Sequence, residues 1–278
     1  MEFTKMHGLG NDFILVDDRE EKICSYGEIA RELCDRHFGV GADGLIIILP
    51  SNQYDLKMRI FNADGSEPEM CGNGIRCFAR FVYDKGILPK EEMKIETLAG
   101  LRIPRLKFEQ GRLTGIQVDM GEPSLNRSDV PITGDGETAV NELLEVEGQS
   151  FYFTAVSMGN PHCVIFVDSL DGFPLEKIGP KIESHSLFPK KTNVEFVEVK
   201  SDEELRMQVW ERGSGKTLAC GTGACATGVA AIANKKTGRR VTVHLDGGDL
   251  EIYWNEKDNH VYMTGPALTV FEGRIDIK

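Results

Sequence analysis

Several features that mark whole classes of protein are scarce in this chain. Long apolar runs are missing: Leu45–Leu49 falls far short of the roughly 20 residues a helix needs to cross a bilayer. No membrane partner is expected. Positive charge is also short, with 32 Lys and Arg against 44 Asp and Glu for a formal charge of −12. No dense basic stripe offsets it, so no nucleic-acid partner is expected, since that affinity comes largely from neutralising phosphates. The stretch Met1–Gly10 carries charges and a histidine in place of the apolar core of a signal peptide. Cysteines Cys24, Cys34, Cys71, Cys77, Cys163, Cys220 and Cys225 form an odd set. They favour thiols in a reducing compartment, hence a cytoplasmic setting, over a disulfide framework. Gly8-Leu9-Gly10 lacks the third glycine and the following helix of a dinucleotide fingerprint. The spacings of Cys71 to Cys77 and Cys220 to Cys225 lie outside or at the edge of the usual zinc pairs. Neither a metal nor another cofactor is expected, and small molecules are the favoured partners.

What is present is a repeat. Gly10-Asn11 recurs as Gly159-Asn160, Phe61 corresponds to Trp210, and Cys71-Gly72-Asn73-Gly74 recurs as Cys220-Gly221-Thr222-Gly223. All three share a displacement of 149 residues (160 − 11, 210 − 61 and 220 − 71). The chain of 278 residues is therefore read as two duplicated halves that remain recognisable at their functional turns. Apolar, β-rich runs predict strands at Phe13–Val16, Leu45–Leu49 and Leu56–Phe61, matched by Cys163–Val167, Val194–Val199 and Leu205–Trp210. Each half then passes through its Cys-Gly-x-Gly turn into a helix, Asn73–Lys85 stopped by Gly86 and Thr222–Lys236 stopped near Gly238. Further strands are expected at Met93–Thr97 and Leu101–Leu106, and at Val241–Leu245 and Leu250–Trp254. A helix capped at Ser25 should run to Phe38. The expected fold class is α+β, with two pseudosymmetric duplicated domains. Each wraps mostly antiparallel strands around a central helix, and the active site lies in the interdomain cleft.

Cysteine at a helix N-terminus sits beside unpaired N–H groups and the positive end of the helix dipole, which favours thiolate. The glycines let a ligand approach the backbone, and the same N–H groups can hold a carboxylate. One such turn is weak, because a cysteine beside glycine is more often a small buried residue. Two in pseudosymmetric positions predict Cys71 and Cys220 on opposite faces of one carbon. One removes a proton as thiolate while the other returns it as thiol. Cys77 and Cys225 are expected in the core. Asn11, Asn62, Asn160 and Asn193 also fit turn or edge positions, Glu211-Arg212 an exposed ion pair, and His162 a satisfied loop histidine.

The segments Gly8–Phe13, Met70–Cys77, Gly159–His162, Thr192–Phe196, Glu211–Gly213 and Ala219–Cys225 together resemble the diaminopimelate epimerase family, in order and from Met1 to the C-terminal segment. The resemblance implies a homodimeric isomerase that converts LL-2,6-diaminopimelate to the meso form without pyridoxal phosphate or metal, supplying lysine and cell-wall precursors. It implies Cys71 and Cys220 as the acid/base thiols, tuned by His162 and Glu211. Backbone groups of Gly72, Asn73, Gly221 and Thr222 would hold the reacting carboxylate, with Asn11 nearby. Asn62, Asn160, Asn193, Glu211 and Arg212 would read the distant end. It further implies a last strand near Ala267–Ile277 packed on the first half, so that the halves are residues 1–119 with 266–278 and residues 120–265, and Phe271 at a dimer contact. Some relatives carry Gln where this chain has Gly44, so one polar contact is expected to be absent from the first half. A proline-racemase-like enzyme is the nearest alternative, disfavoured because a monofunctional cyclic substrate needs no second carboxylate pocket. A phenazine-pathway isomerase should not need two cysteines. A non-enzymatic thiol redox or metal-binding protein is the remaining alternative.

Overall fold

In a computed structural model describing residues 1–276, the displacement of 149 residues runs through the architecture and not only its functional turns. Ile277, the expected end of the last strand, and Lys278 lie outside the described residues. The chain divides into two units, Met1–Asp119 with the segment from Thr264, and Met120–Met263.

The first unit contains β1 (Glu2–Gly8), β2 (Asn11–Asp17), α1 (Tyr26–Cys34), β3 (Gly44–Leu49), β4 (Leu56–Asn62), α2 (Gly72–Asp84), β5 (Ile95–Thr97), β6 (Gly100–Arg102), β7 (Arg105–Glu109) and β8 (Arg112–Asp119). The late strand Leu268–Arg274 pairs antiparallel with β1, and the sheet continues through β2, β3, β4 and β5 to β6. β2 and β3 are parallel, as are β4 and β5, while the other pairs in this sheet are antiparallel. β7 and β8 form an antiparallel hairpin. A tight turn joins β1 to β2, with Gly8 opposite Asn11 and both Leu9 (φ 58°) and Gly10 (φ 86°) left-handed. Two left-handed central residues match the twist of the flanking strands. This turn delivers Asn11 as the first residue of its strand.

The second unit contains β9 (Glu142–Val146), β10 (Gln149–Ser157), β11 (Pro161–Val167), α3 (Leu175–Glu183), β12 (Asn193–Val199), β13 (Glu204–Glu211), β14 (Gly215–Thr217), α4 (Gly221–Ala233), β15 (Arg240–Leu245), β16 (Gly248–Trp254) and β17 (Val261–Gly265). Its sheet order is β17, β16, β15, β13, β12, β11, β10, β9, with β14 paired to β13. The parallel pairs, β11 with β12 and β13 with β15, fall where the first unit has them. Helices α2 and α4 start and end 149 residues apart (221 − 72 and 233 − 84), as do α1 and α3 (175 − 26 and 183 − 34). Strand register is conserved too: Leu45 faces Phe61 as Val194 faces Trp210. Each central helix lies among its own strands. α4 is apolar on all sides, as a wholly surrounded helix must be, and a Cβ on Gly228 would meet Ile252 at 2.8 Å.

Several expected boundaries move. Ser25 precedes α1 but is left-handed and makes no capping bond through its side chain; the helix stops at Cys34 because Asp35 accepts the N–H groups of His37 and Phe38 at 2.7 and 2.8 Å. The strand expected over Leu101–Leu106 breaks into β6 and β7, and Pro104, which has no N–H to donate, sits in the gap. The first strand before it begins at Ile95, not Met93. α4 ends at Ala233, where left-handed Lys235 (φ 56°) makes the turn expected of Gly238. The sequence reading missed α3 because Gly179-Pro180 looks like a helix breaker.

Candidate active site

Cys71 and Cys220 occupy equivalent backbone positions. Each is the extended residue before its central helix, and each sulfur accepts the N–H three residues on: Gly74 donates to Cys71 at 3.4 Å, Gly223 to Cys220 at 3.3 Å. The cysteine carbonyls accept the next amides, from Ile75 and Ala224. Sulfur thus stands where Ser, Thr or Asp usually caps a helix.

Around Cys71 the groups are amides. Its sulfur lies 3.8 Å from Asn11 Oδ1, which also accepts Asn73 Nδ2 at 3.1 Å. Asn11 Nδ2 donates to Asp43 at 2.7 Å, and Asp43 is held in turn by Arg36 at 2.9 Å. Arg76 is fully buried one turn into α2 and donates to Asn73 Oδ1, Gly72 O and Pro266 O at 2.9, 3.1 and 3.2 Å. These bonds fix the Gly72-Asn73 peptides at the helix start. Gly44 faces Asn62 in the sheet, and a Cβ there would meet the Phe61 carbonyl oxygen at 2.7 Å. Asn62 itself donates to Ser66 at 2.9 Å.

Around Cys220 the neighbours include carboxyl and imidazole groups. Its sulfur is 3.6 Å from the Thr222 hydroxyl, which accepts Asn160 Nδ2 at 3.3 Å. Asn160 Oδ1 faces His162 Nε2 at 3.0 Å, and His162 Nδ1 lies 2.6 Å from Glu195 Oε1. Both His162 and Glu195 are fully buried. The ring nitrogens of His162 are thus engaged by Asn160 and Glu195, so its influence on Cys220 is indirect, through these two residues and Glu211. Burial raises the Glu211 carboxyl above its ordinary value, opposed by the Thr217 hydroxyl that donates to it. Burial also pushes the Cys220 thiol well above its usual value, with the charges of Glu211 and Glu195 adding to the effect. Asn193 stands apart from this chain: it donates to Pro161 O and accepts the Arg212 N–H, both at 2.9 Å. Arg212 points outward and donates to Lys190 O at 3.3 Å.

Cys77 is buried with its thiol pushed up to about 12 by burial, the behaviour of a core residue. Among the described residues no group of three His, Cys, Asp or Glu side chains is placed to hold a metal. No helix among them is long and apolar enough to cross a membrane.

Glu195, Arg76 and Asp43 were not picked out from the sequence. The repeat held a signal for two of them: Glu195 falls opposite Ile46 and Arg76 opposite Cys225, a charge facing an apolar residue or a thiol at equivalent buried positions (195 − 46 and 225 − 76 both give 149).

A family model described as diaminopimelate epimerase matches residues 3–126 and 154–270. The chain belongs to the diaminopimelate epimerase family. It is 58% identical over 274 residues to the diaminopimelate epimerase of Moorella thermoacetica, covering 98% of each chain. Identity is 55% over 277 residues to that of Methanococcus maripaludis, covering both chains completely. Membership makes the protein an enzyme, an isomerase acting on a small molecule. Solved structures share the fold at low identity. A phenazine biosynthesis protein of the PhzF family from Bacillus anthracis gives a TM-score of 0.72 at 18% identity, covering 100% of this chain and 99% of that one. A probable proline racemase from Agrobacterium radiobacter gives 0.69 at 14%, covering 100% and 93%. The proline-racemase-like and phenazine-type alternatives thus share architecture with this chain, while sequence assigns it to the epimerases.

Proposed function

We propose that the chain interconverts LL- and meso-2,6-diaminopimelate by passing one α-proton between two sulfurs, Cys71 and Cys220. The thiolate of one takes the proton and becomes a thiol. The thiol of the other gives its proton to the opposite face and becomes a thiolate, so the pair exchanges states at each turnover. First-turn amides have no intrahelical partner, so the N–H groups at Gly72, Asn73, Gly221 and Thr222 are suited to hold the α-carboxylate and stabilise charge developing beside it. No cofactor takes part in this scheme. Asn11 lies near the reacting end; Asn62, Asn160, Asn193, Glu211 and Arg212 read the distal amino acid, with Arg212 pairing its carboxylate. His162 and Glu211 tune the thiols.

The observation that carries the proposal is the repeated sulfur-capped helix start, with amide-to-sulfur distances of 3.4 and 3.3 Å. Residues 1–119 with 266–278 form the half bearing Cys71, and residues 120–265 the half bearing Cys220. A cytoplasmic homodimer making a lysine and peptidoglycan precursor completes the proposal. Leu268, Val270 and Phe271, exposed on the strand at the end of the first sheet, support self-association. Incubation with LL-diaminopimelate in deuterated water tests the chemistry. Label should enter one α-carbon as the meso isomer appears; meso product without label, or no product, refutes it.

A further inference from the structure

Glu195 has no role in the scheme above, yet it lies beside the reacting sulfur. Its Oε1 is 2.8 Å from the point where a Cβ on Gly223 would sit, and Cys220 Sγ is 3.2 Å from the same point. Carboxylate and sulfur are therefore at most 6.0 Å apart (2.8 + 3.2). Oε1 is held by His162, while Oε2 is buried without a hydrogen-bond partner. In the first half the atoms nearest the corresponding point, a Cβ on Gly74, are the methyl carbons of Ile60 and Ile46 and the Cβ of Cys71. The two helix starts present similar fields, but a buried carboxylate sits in one of them and isoleucines in the other.

We infer that Glu195 is a positioning residue that favours the thiol form of Cys220 in the substrate-free protein, so that the proton of the pair rests on the second half. The start of a helix stabilises negative charge. At α4 a buried carboxylate lies within 6.0 Å of the sulfur, and a second anion that close is disfavoured by like-charge repulsion. At α2 the equivalent point is flanked by isoleucine methyl carbons. The titratable groups facing Cys220 are Glu211 and Glu195, with the charge of His162 acting on Glu211 and that of Glu195 on Cys163. Burial and both carboxylates oppose ionisation of Cys220, while Thr222 and the Gly223 N–H favour it.

The inference rests on the two-thiol proposal, but its test needs no turnover. Iodoacetamide modification of each cysteine, followed by peptide mapping across pH 6 to 9, reads the ionisation of each sulfur. In the unaltered protein Cys71 should be modified at lower pH than Cys220. In Glu195→Gln, a neutral side chain of the same shape, the Cys220 profile should move down by about one pH unit, roughly tenfold faster modification at neutral pH, with Cys71 unmoved. Glu195→Ile, which installs the residue of the first half, should move it the same way. A Cys220 profile that stays in place or moves up in both variants overturns the inference. Failure of the unaltered protein to epimerise diaminopimelate would instead count against the two-thiol proposal and leave this readout intact.

Discussion

Where the second half holds His162 and Glu195, joined at 2.6 Å with neither exposed, the first half holds Phe13 and Ile46 (162 − 13 and 195 − 46 both give 149). Where the second half holds Glu211, the first holds Asn62; where it holds Cys225, the first holds Arg76. The backbones around the two sulfurs agree in strand register and helix length, apart from β14 before Cys220, and the chemical differences lie in side chains. Duplication therefore supplies two equivalent sulfur-capped helix starts, while substitution surrounds their sulfurs with different side chains. Two-base chemistry needs one sulfur protonated while the other is not, and those side chains bias which sulfur holds the proton at rest.

The largest effect tests what the halves share. Cys71→Ser and Cys220→Ser should each reduce epimerisation by roughly 10²–10⁴-fold, measured as meso isomer formed from the LL substrate, with the folded state retained. If either variant turns over normally, the halves are not equal partners. Next comes the arginine that only the first half has. Arg76→Met removes the side-chain bonds to Gly72 O, Pro266 O and Asn73 Oδ1 and should cost about 2–4 kcal/mol in denaturant unfolding. Cys225→Ala, at the equivalent position, should cost less. Equal losses would mean that Arg76 adds no anchoring.

The paired glycines sharpen the comparison further. Gly223→Ala pushes a methyl group to within 2.8 Å of Glu195 Oε1, whereas Gly74→Ala meets isoleucine ends at 3.0 and 3.3 Å that can yield. The first should lose about 1–3 kcal/mol and the second less, by thermal unfolding of the two variants side by side. The smallest effect is acid sensitivity in the first half. Burial alone would raise the Asp12 carboxyl, but bonds from Arg36 at 2.8 Å and Lys5 at 2.6 Å hold it at about 2. The depressed value makes this stabilisation complete above the unfolded value of about 3.9 and progressively lost as pH falls toward 2. Tm should therefore drop over that window, and Asp12→Asn should flatten the drop. Pro161 stands at the equivalent place in the second half (161 − 12 gives 149), which has no such carboxylate there.

The repeat was legible because Cys-Gly-x-Gly and Gly-Asn are constrained by backbone chemistry in both halves. Strands and helices that flank those turns followed from periodicity. α3 was not legible, since Pro180 inside a helix contradicts the local rule while packing of Ile178 and Ile182 in the core overrides it. The break at Pro104 was readable in principle but hidden by the apolar run around it. Cys71, Cys220, Asn11 and Asn160 stood out as polar or reactive groups repeated at glycine turns, whereas a place for His162 came only with the family resemblance. Glu195 did not, because a glutamate inside Val194–Val197 reads as the solvent face of an alternating strand. Only tertiary packing buries both faces of β12.

The most direct measurement is a crystal structure with diaminopimelate bound. Cys71 Sγ and Cys220 Sγ should both lie about 3–3.5 Å from one α-carbon, on opposite faces, with its carboxylate on the amides that begin α2 and α4. A bound substrate approached by one sulfur only, with the other turned to solvent or core, contradicts the account.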